Sequence, residues 1–337
     1  MIINRKLLSV FLLKIGILKS NYYPVLSGIE AIFYYFCRKI FMTDHTAHKS
    51  GFVNIIGNPN VGKSTLMNRL VGERLSIITA KAQTTRHRIK GIVNGEDYQI
   101  VYSDLPGILT PAYKMQEYMM RFVNESLKDA DLILYVIECG ETTCNEEIIE
   151  RLQQLSIPIL LVINKIDKVS EELIATTKNH WQELLPKAET IEISALRGHH
   201  INLLLERIIT LLPESPPFFP KDELTDRPLR FFISEIIREK ILLLYKKEIP
   251  YSVEVVIESF KETEDIVHIG AMLYCERDSQ KGIIIGNNGA AIKQLGIESR
   301  KAIEDFIEKH VFLEISVKVL KDWRNQDLLM KRFGYQN

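Results

Sequence analysis

From about residue 50 the chain alternates short apolar runs with longer stretches that place an apolar residue every three or four positions. The short runs are Phe52–Ile56, Ile89–Val93, Tyr98–Ser103, Leu132–Ile137, Ile159–Ile163 and Thr190–Ile193. They predict strands, and continuous runs such as Leu132–Ile137 and Ile159–Ile163 predict strands buried on both faces. The 3.6-residue spacing predicts helices: one through Leu66, Met67, Leu70 and Val71, then Tyr113–Leu127, Asn145–Leu155, Glu171–Leu185 and Ile201–Leu212. Such alternation gives an α/β fold with a doubly wound, mainly parallel sheet, and a ligand at the carboxyl ends of the strands. Leu212–Pro220 holds four prolines in nine residues, which predicts an extended, semi-rigid connector. A second pattern follows: a helix Leu229–Tyr245, strands Ser252–Phe260 and Ile266–Cys275, a helical segment ending in a Gly-x-x-Gly turn, a helix Ala290–Lys309 and a strand Val311–Leu320. The expected organisation is an extension over 1–49, a first domain over 50–212, a linker over 213–228, a second domain over 229–325 and a tail over 326–337.

The 337 residues are 46% hydrophobic and 26% charged, ordinary for a globular chain. A formal net charge of zero removes any global basic field, so nucleic acid must be held by a local surface. Cys37, Cys139, Cys144 and Cys275 form no C-x-x-C pair, which argues against a zinc site or disulfide framework and fits a reducing cytosol. Residues 1–41 differ from the rest, with six Lys/Arg against the single acid Glu30 and apolar runs Leu7–Leu18 and Val25–Cys37. Neither run approaches the roughly twenty apolar residues that span a bilayer. The composition suits contact with a membrane surface, and the preferred reading is that Met42 is the native start.

Gly57-Asn58-Pro59-Asn60-Val61-Gly62-Lys63-Ser64-Thr65 lies between the first strand and the first helix. This is the context a phosphate-binding loop needs: glycines let successive N–H groups face one concavity at a helix N-terminus. Lys63 can reach the terminal phosphates and Ser64 can ligate Mg²⁺. Thr85, in the polar stretch Lys81–His87, is placed to sense the γ-phosphate through the metal. Asp104-Leu105-Pro106-Gly107 ends a strand, putting a carboxylate near the metal and the Gly107 N–H near the γ-phosphate. Asn164-Lys165-Ile166-Asp167 follows a buried strand; the Asp167 carboxylate can accept from guanine N1–H and N2–H₂, a donor pair that adenine lacks. Lys165 can lie along the base and Asn164 can brace the phosphate loop. Ser194-Ala195-Leu196 ends a later strand, where the Ala195 N–H can meet guanine O6. His199-His200 and the other histidines show no metal spacing.

In the second domain the α-β-β-α-α-β order, with Gly286-Asn287-Asn288-Gly289 between the last two helices, is that of a type II KH domain. The two glycines let backbone approach backbone, and the adjoining groove suits about four unpaired bases. The middle residues are both asparagine where such loops usually carry Lys or Arg. With 17 Lys/Arg against 17 Asp/Glu from Pro228 to Asn337, phosphate contacts must be local and the salt dependence modest. Lys281 and Lys293 are the nearest candidates, followed by Arg300, Lys301, Lys318, Lys321 and Arg324. Trp323 suits either base stacking or packing.

Together, Gly57–Ser64, Gln83-Thr84-Thr85-Arg86 and Asp104-x-Pro-Gly107 resemble the Era family of bacterial ribosome-assembly GTPases, over about residues 50–325. The resemblance implies a P-loop GTPase domain joined to a type II KH domain, with GTP controlling the binding of small-subunit ribosomal RNA near its 3′ end. It matches Thr85 to the Mg²⁺-binding switch threonine and Asn60 to an asparagine that ligates K⁺ in related GTPases. Leu105 stands where the family usually has threonine. Ile108 occupies the place of the water-positioning glutamine of Ras-type enzymes, so intrinsic turnover is expected on the order of 10⁻⁴ to 10⁻² s⁻¹. The expected catalytic set is Lys63, Thr85 and Gly107, in a cytosolic monomer binding GTP or GDP, the small ribosomal subunit and, through the extension, the inner membrane face. A membrane-anchored signalling GTPase is the alternative.

Overall fold

The computed structural model of the protein describes residues 48–335. The basic N-terminal stretch, the start at Met42 and any membrane contact lie outside the described residues. Among the described residues no helix is long and apolar enough to cross a membrane.

The first domain comprises β1 (Lys49–Ile56), α1 (Lys63–Val71), β2 (Ile89–Asn94), β3 (Tyr98–Asp104), α2 (Lys114–Ser126), β4 (Leu132–Glu138), α3 (Glu146–Gln154), β5 (Ile159–Asn164), α4 (Glu171–Leu184), β6 (Glu189–Glu192) and α5 (Ile201–Leu211). The strands form one sheet in the order β2-β3-β1-β4-β5-β6. Only the edge strand β2 is antiparallel to its neighbour. Side-chain alternation explains the continuous apolar runs. In β4, Leu132, Leu134 and Val136 enter one core while Ile133, Tyr135 and Ile137 enter the other, so all six are buried ahead of the half-buried Glu138. Strand order reverses beside β1, and that crevice is where such sheets bind ligands.

The proline-rich connector is extended, but it is also strapped to the sheet edge. The Gln99 side chain accepts from the N–H groups of Phe218 (2.7 Å) and Phe219 (2.9 Å) and donates to Phe219 O at 2.8 Å. Further along, the Ile92 N–H donates to Leu224 O at 2.8 Å. Thr225 donates to Lys90 O at 2.7 Å and Arg227 to Arg88 O at 2.8 Å. The connector therefore covers the backbone groups that edge strand β2 would otherwise present to solvent.

The second domain runs α6 (Leu229–Leu244), α7 (Ile249–Ser252), β7 (Glu254–Glu262), β8 (Ile266–Cys275), α8 (Asp278–Ile285), α9 (Ala290–Ile307) and β9 (His310–Val319). Its sheet order is β7-β8-β9, antiparallel then parallel. Ser252, expected in a strand, instead ends the one-turn α7. Ile233, Ile237 and Ile241 of α6, Ile284 of α8 and Leu295 and Ile303 of α9 join the inward residues of β7 and β8 in a third core.

The segment from 326, expected as a tail, is structured. It forms α10 (Asp327–Arg332), and Met330, Phe333 and Tyr335 enter the same core as α2 and α3 of the first domain. Asp327 accepts from Lys114 (2.7 Å) and from the Tyr118 hydroxyl (3.0 Å) on α2. Trp323 is fully buried, donates to Ser252 O at 3.1 Å and meets Phe333 edge-on, so packing is its role and base stacking is excluded.

Candidate nucleotide and nucleic-acid sites

The phosphate-loop segment joins β1 to α1, at the crevice where strand order reverses. Gly62 sits at φ +102°, and a Cβ there would lie 2.2 Å from Asn164 Nδ2. Any side chain at this position would both strain the turn and displace the asparagine. Asn164 reaches in from β5: its amide donates to Val61 O at 2.8 Å and accepts from the Ala195 N–H at 3.0 Å. The Ala195 amide, expected to face the base, is thus engaged by the residue that braces the loop. Asn58 is held from outside the loop, donating to Glu141 at 2.6 Å and to Thr143 O at 3.1 Å. Asn60 is exposed with a positive φ of 65°.

Lys63 is buried, and its ammonium donates to Gly57 O at 3.0 Å and Asn58 O at 2.8 Å. Burial lowers its pKa to about 8, while the carboxylates of Asp104 and Glu141 pull in the opposite direction. Ser64, Thr85 and Asp104 come from three separate elements and converge. Ser64 Oγ donates to Asp104 Oδ2 at 2.7 Å and lies 3.0 Å from Thr85 Oγ1, which donates to the same oxygen at 3.1 Å. Asp104 is fully buried, and its other oxygen, Oδ1, has no hydrogen-bond partner among the described residues. Burial raises the Asp104 pKa, opposed by the Ser64 and Thr85 hydrogen bonds and by Lys63. A buried carboxylate with one unpartnered oxygen beside two hydroxyls is the hard-oxygen donor set that suits Mg²⁺. The adjoining cavity, about 310 Å³, is lined by Pro59, Asn60, Lys63, Thr65, Gly107 and Lys165.

Leu105 and Ile108 are apolar for a structural reason: both are buried in the first-domain core. The Ile108 N–H donates to Gly57 O at 3.1 Å, tying the Asp104–Gly107 loop to the phosphate loop. Pro106 is buried and Gly107 half-buried. At the base-recognition end, the Ser194 hydroxyl donates to Asp167 Oδ1 at 2.5 Å, and this hydrogen bond holds the carboxyl below its usual range. Ser194 is fully buried, so it positions Asp167 rather than facing the cleft. Lys165 pairs with Glu138 at 2.5 Å. Arg69 donates to Leu196 O at 2.8 Å and fixes that loop, while the Leu196 side chain is exposed. Glu141, Glu138 and Arg69 carry no motif, and only their contacts reveal them.

In the second domain Gly286 (φ +72°) and Gly289 (φ +77°) flank Asn287 and Asn288 between α8 and α9. A Cβ on Gly286 would lie 2.6 Å from Ala291 Cβ and 2.9 Å from Ala291 N. Both asparagines are exposed, as is Lys293, while Lys281 is half-buried. Of the outlying basic candidates, Arg300 pairs with Glu304 and Arg324 with Glu276, so both are engaged within the protein. Lys301, Lys318 and Lys321 are exposed.

The two domains meet at the polar stretch around Thr85. Arg86 is buried and donates to Val253 O (2.8 Å), Pro250 O (2.9 Å) and Glu254 (3.1 Å) of the second domain. Glu254 also accepts from the buried Tyr335 hydroxyl at 2.9 Å. His87 stacks on Tyr335 at 4.4 Å, and burial among arginines lowers its pKa to about 3, so it is neutral near pH 7.

The fold and these motifs define a class: a P-loop GTPase with a C-terminal KH domain. The family model for the 50S ribosome-binding GTPase matches residues 52–165, and that for the KH domain matches residues 248–324. A GTPase Era of Alkaliphilus metalliredigens is 43% identical over 294 residues, covering 86% of this chain and 100% of that protein. A crystal structure of an Aquifex aeolicus Era variant bound to GDP and AlF₄⁻ superposes with a TM-score of 0.82 at 37% identity, covering 86% of this chain and 100% of that one. A structure of Era in complex with MgGDPNP and nucleotides 1506–1542 of 16S ribosomal RNA matches equally well, with a TM-score of 0.82. The chain belongs to the Era family of GTPases.

Proposed function

We propose that this GTPase binds small-subunit ribosomal RNA through its KH domain and that the bound guanine nucleotide controls that binding during small-subunit assembly. The observation that carries the nucleotide half is the convergence of Ser64, Thr85 and Asp104 beside Lys63. The RNA half is supported by the Gly286–Gly289 loop, with Asn287 and Asn288 exposed, and by an Era of the same fold in complex with a 16S fragment. Ser64, Thr85 and Asp104 would hold Mg²⁺, which when bound would supply charge neutralisation at the phosphate oxygens as the γ-phosphoryl leaves. The residues from Gly57 to Thr65 cradle the phosphates, with Lys63 at the β- and γ-oxygens. The Gly107 N–H contacts the γ-phosphate, which makes its loop and Thr85 sensitive to triphosphate. Asp167, oriented by Ser194, selects guanine; Lys165 flanks the base, and Ala195 and Leu196 close the pocket. With Ile108 buried and apolar, no side chain there orients the hydrolytic water, so turnover is slow.

Asn60, exposed at the cavity rim, is the proposed K⁺ ligand. Hydrolysis should then be faster in K⁺ than in Na⁺, and equal rates would remove that role. On the KH side, Asn287, Asn288, Lys281 and Lys293 contact the RNA beside the two glycines. The protein is proposed to act as a cytosolic monomer; among the described residues Cys139, Cys144 and Cys275 form no disulfide, which suits a reducing compartment.

Gly286→Asp tests the division of labour. It should weaken RNA binding by about 10- to 100-fold, roughly 1.4 to 2.8 kcal/mol, and leave GTP affinity unchanged. Filter binding with RNA and with labelled GTP reads both. Joint loss would mean that the domains do not divide the work in this way.

A further inference from the structure

The nucleotide domain grips the KH domain through a second group besides Arg86. Lys81 lies four residues before Thr85, in a turn closed by hydroxyls. The Thr84 hydroxyl donates to Lys81 O at 2.6 Å, the Lys81 N–H donates to Thr79 Oγ1 at 3.1 Å, and the two threonine hydroxyls lie 2.7 Å apart. From this turn the Lys81 ammonium reaches the C-terminal end of α6, donating to Tyr245 O at 2.6 Å and to Leu242 O. Carbonyls at a helix C-terminus lack partners within the helix and carry the negative end of its dipole, so they hold a cation well. Tyr245 makes the next connection. Its hydroxyl donates to Ile284 O at 2.8 Å in a buried position. Ile284 lies in the last turn of α8, two residues before Gly286. Arg238 of α6 also donates to Thr84 O, so the helix is held to the same turn from its own side.

We propose that Lys81 and Tyr245 link the nucleotide site to the Gly286–Gly289 loop, with the C-terminal end of α6 as the part that moves. This rests on the reading above, in which Thr85 responds to the metal-bound triphosphate and the glycine loop binds RNA. A shift of Thr85 carries the Lys81 turn with it, Lys81 pulls the last turn of α6, and Tyr245 passes the displacement to α8. Linkage then works in both directions: RNA on the loop changes the affinity for GTP by the factor by which GTP changes the affinity for RNA.

The measurement uses the full chain and an RNA spanning nucleotides 1506–1542 of 16S ribosomal RNA, the segment bound in an Era complex. RNA affinity is determined in the presence of a non-hydrolysable GTP analogue and of GDP, for wild type, Lys81→Met, Lys81→Arg and Tyr245→Phe. The wild-type ratio of the two affinities should lie in the range of about 5- to 150-fold. Lys81→Met removes the charge at similar length, and Tyr245→Phe removes one hydrogen bond while keeping the ring. Both should bring the ratio close to unity with melting temperature near wild type, Tyr245→Phe, which lies outside the nucleotide cavity, should also keep GDP affinity near wild type, and Lys81→Arg should restore the ratio. A wild-type ratio of one would overturn the control reading and this link with it. A substantial wild-type ratio that survives in both Lys81→Met and Tyr245→Phe would overturn the link alone.

Discussion

Asp167→Asn is expected to lower GTP affinity by about 10³- to 10⁵-fold and to make xanthosine triphosphate the better ligand. A site built to hydrogen-bond a donor pair rejects an analogue by leaving buried polar groups unpaired, which is why the effect is large. In this chain the carboxylate is held for acceptance: the Ser194 hydroxyl hydrogen-bonds it and keeps it ionised. An amide in its place offers an N–H₂ group to guanine N1–H and N2–H₂, donor against donor. Xanthine carries a carbonyl at C2 and accepts that N–H₂. Fluorescence titration with the two triphosphates measures both affinities. GTP affinity within tenfold of wild type would remove Asp167 from the base-recognition role.

Lys63→Ala should reduce hydrolysis by about 10²- to 10³-fold, the usual loss when one preorganised donor is taken from a developing oxyanion. The same residue sets a pH signature. Its folded pKa, about 8, is below the ordinary 10.5. Burial of this ammonium therefore costs stability below about pH 8, where folded and unfolded chains are both protonated. The cost fades as pH rises from about 8 towards 10.5, where only the unfolded chain keeps the proton. A triphosphate beside the ammonium raises its pKa again, so GTP binding between these limits should take up protons. Calorimetric titration in two buffers of different ionisation heat gives the number taken up, and Lys63→Ala should abolish it. Uptake that persists in the variant would assign the proton to another group.

The parts of the molecule that depend on local chemistry were legible in the sequence. Lys63 and Ser64 open a helix, Asp104 and Asn164 end strands and Asp167 lies three residues past β5, and a doubly wound sheet brings such ends together whatever the rest of the chain does. The alternation of β4 between two cores was equally readable, since a strand buried on both faces leaves no polar position. What was hidden depends on residues far apart in sequence. Gln99 straps a connector more than a hundred residues away, and its own surroundings read as an ordinary strand. Glu254 is a buried acid that Arg86 and Tyr335 make tolerable, and none of the three betrays the others by spacing. The last dozen residues read as a tail because their apolar side chains, Leu328, Leu329, Met330, Phe333 and Tyr335, make no helical run long enough to predict. Met330, Phe333 and Tyr335 are buried because the first domain supplies the rest of the core, while Leu328 stays exposed. Trp323 was open between stacking and packing, and the donor distance to Ser252 decided it.

Guanine nucleotide is expected to govern RNA binding across the two domains. Crosslinking of the full chain to ribosomal RNA, with GTP analogue or with GDP bound, tests it most directly, by mapping which nucleotides are captured and how strongly. A segment near the 3′ end of the small-subunit RNA should be captured through residues around Gly286–Gly289, with a yield that depends on the nucleotide. Capture of no RNA, or capture equal in both nucleotide states, would contradict it.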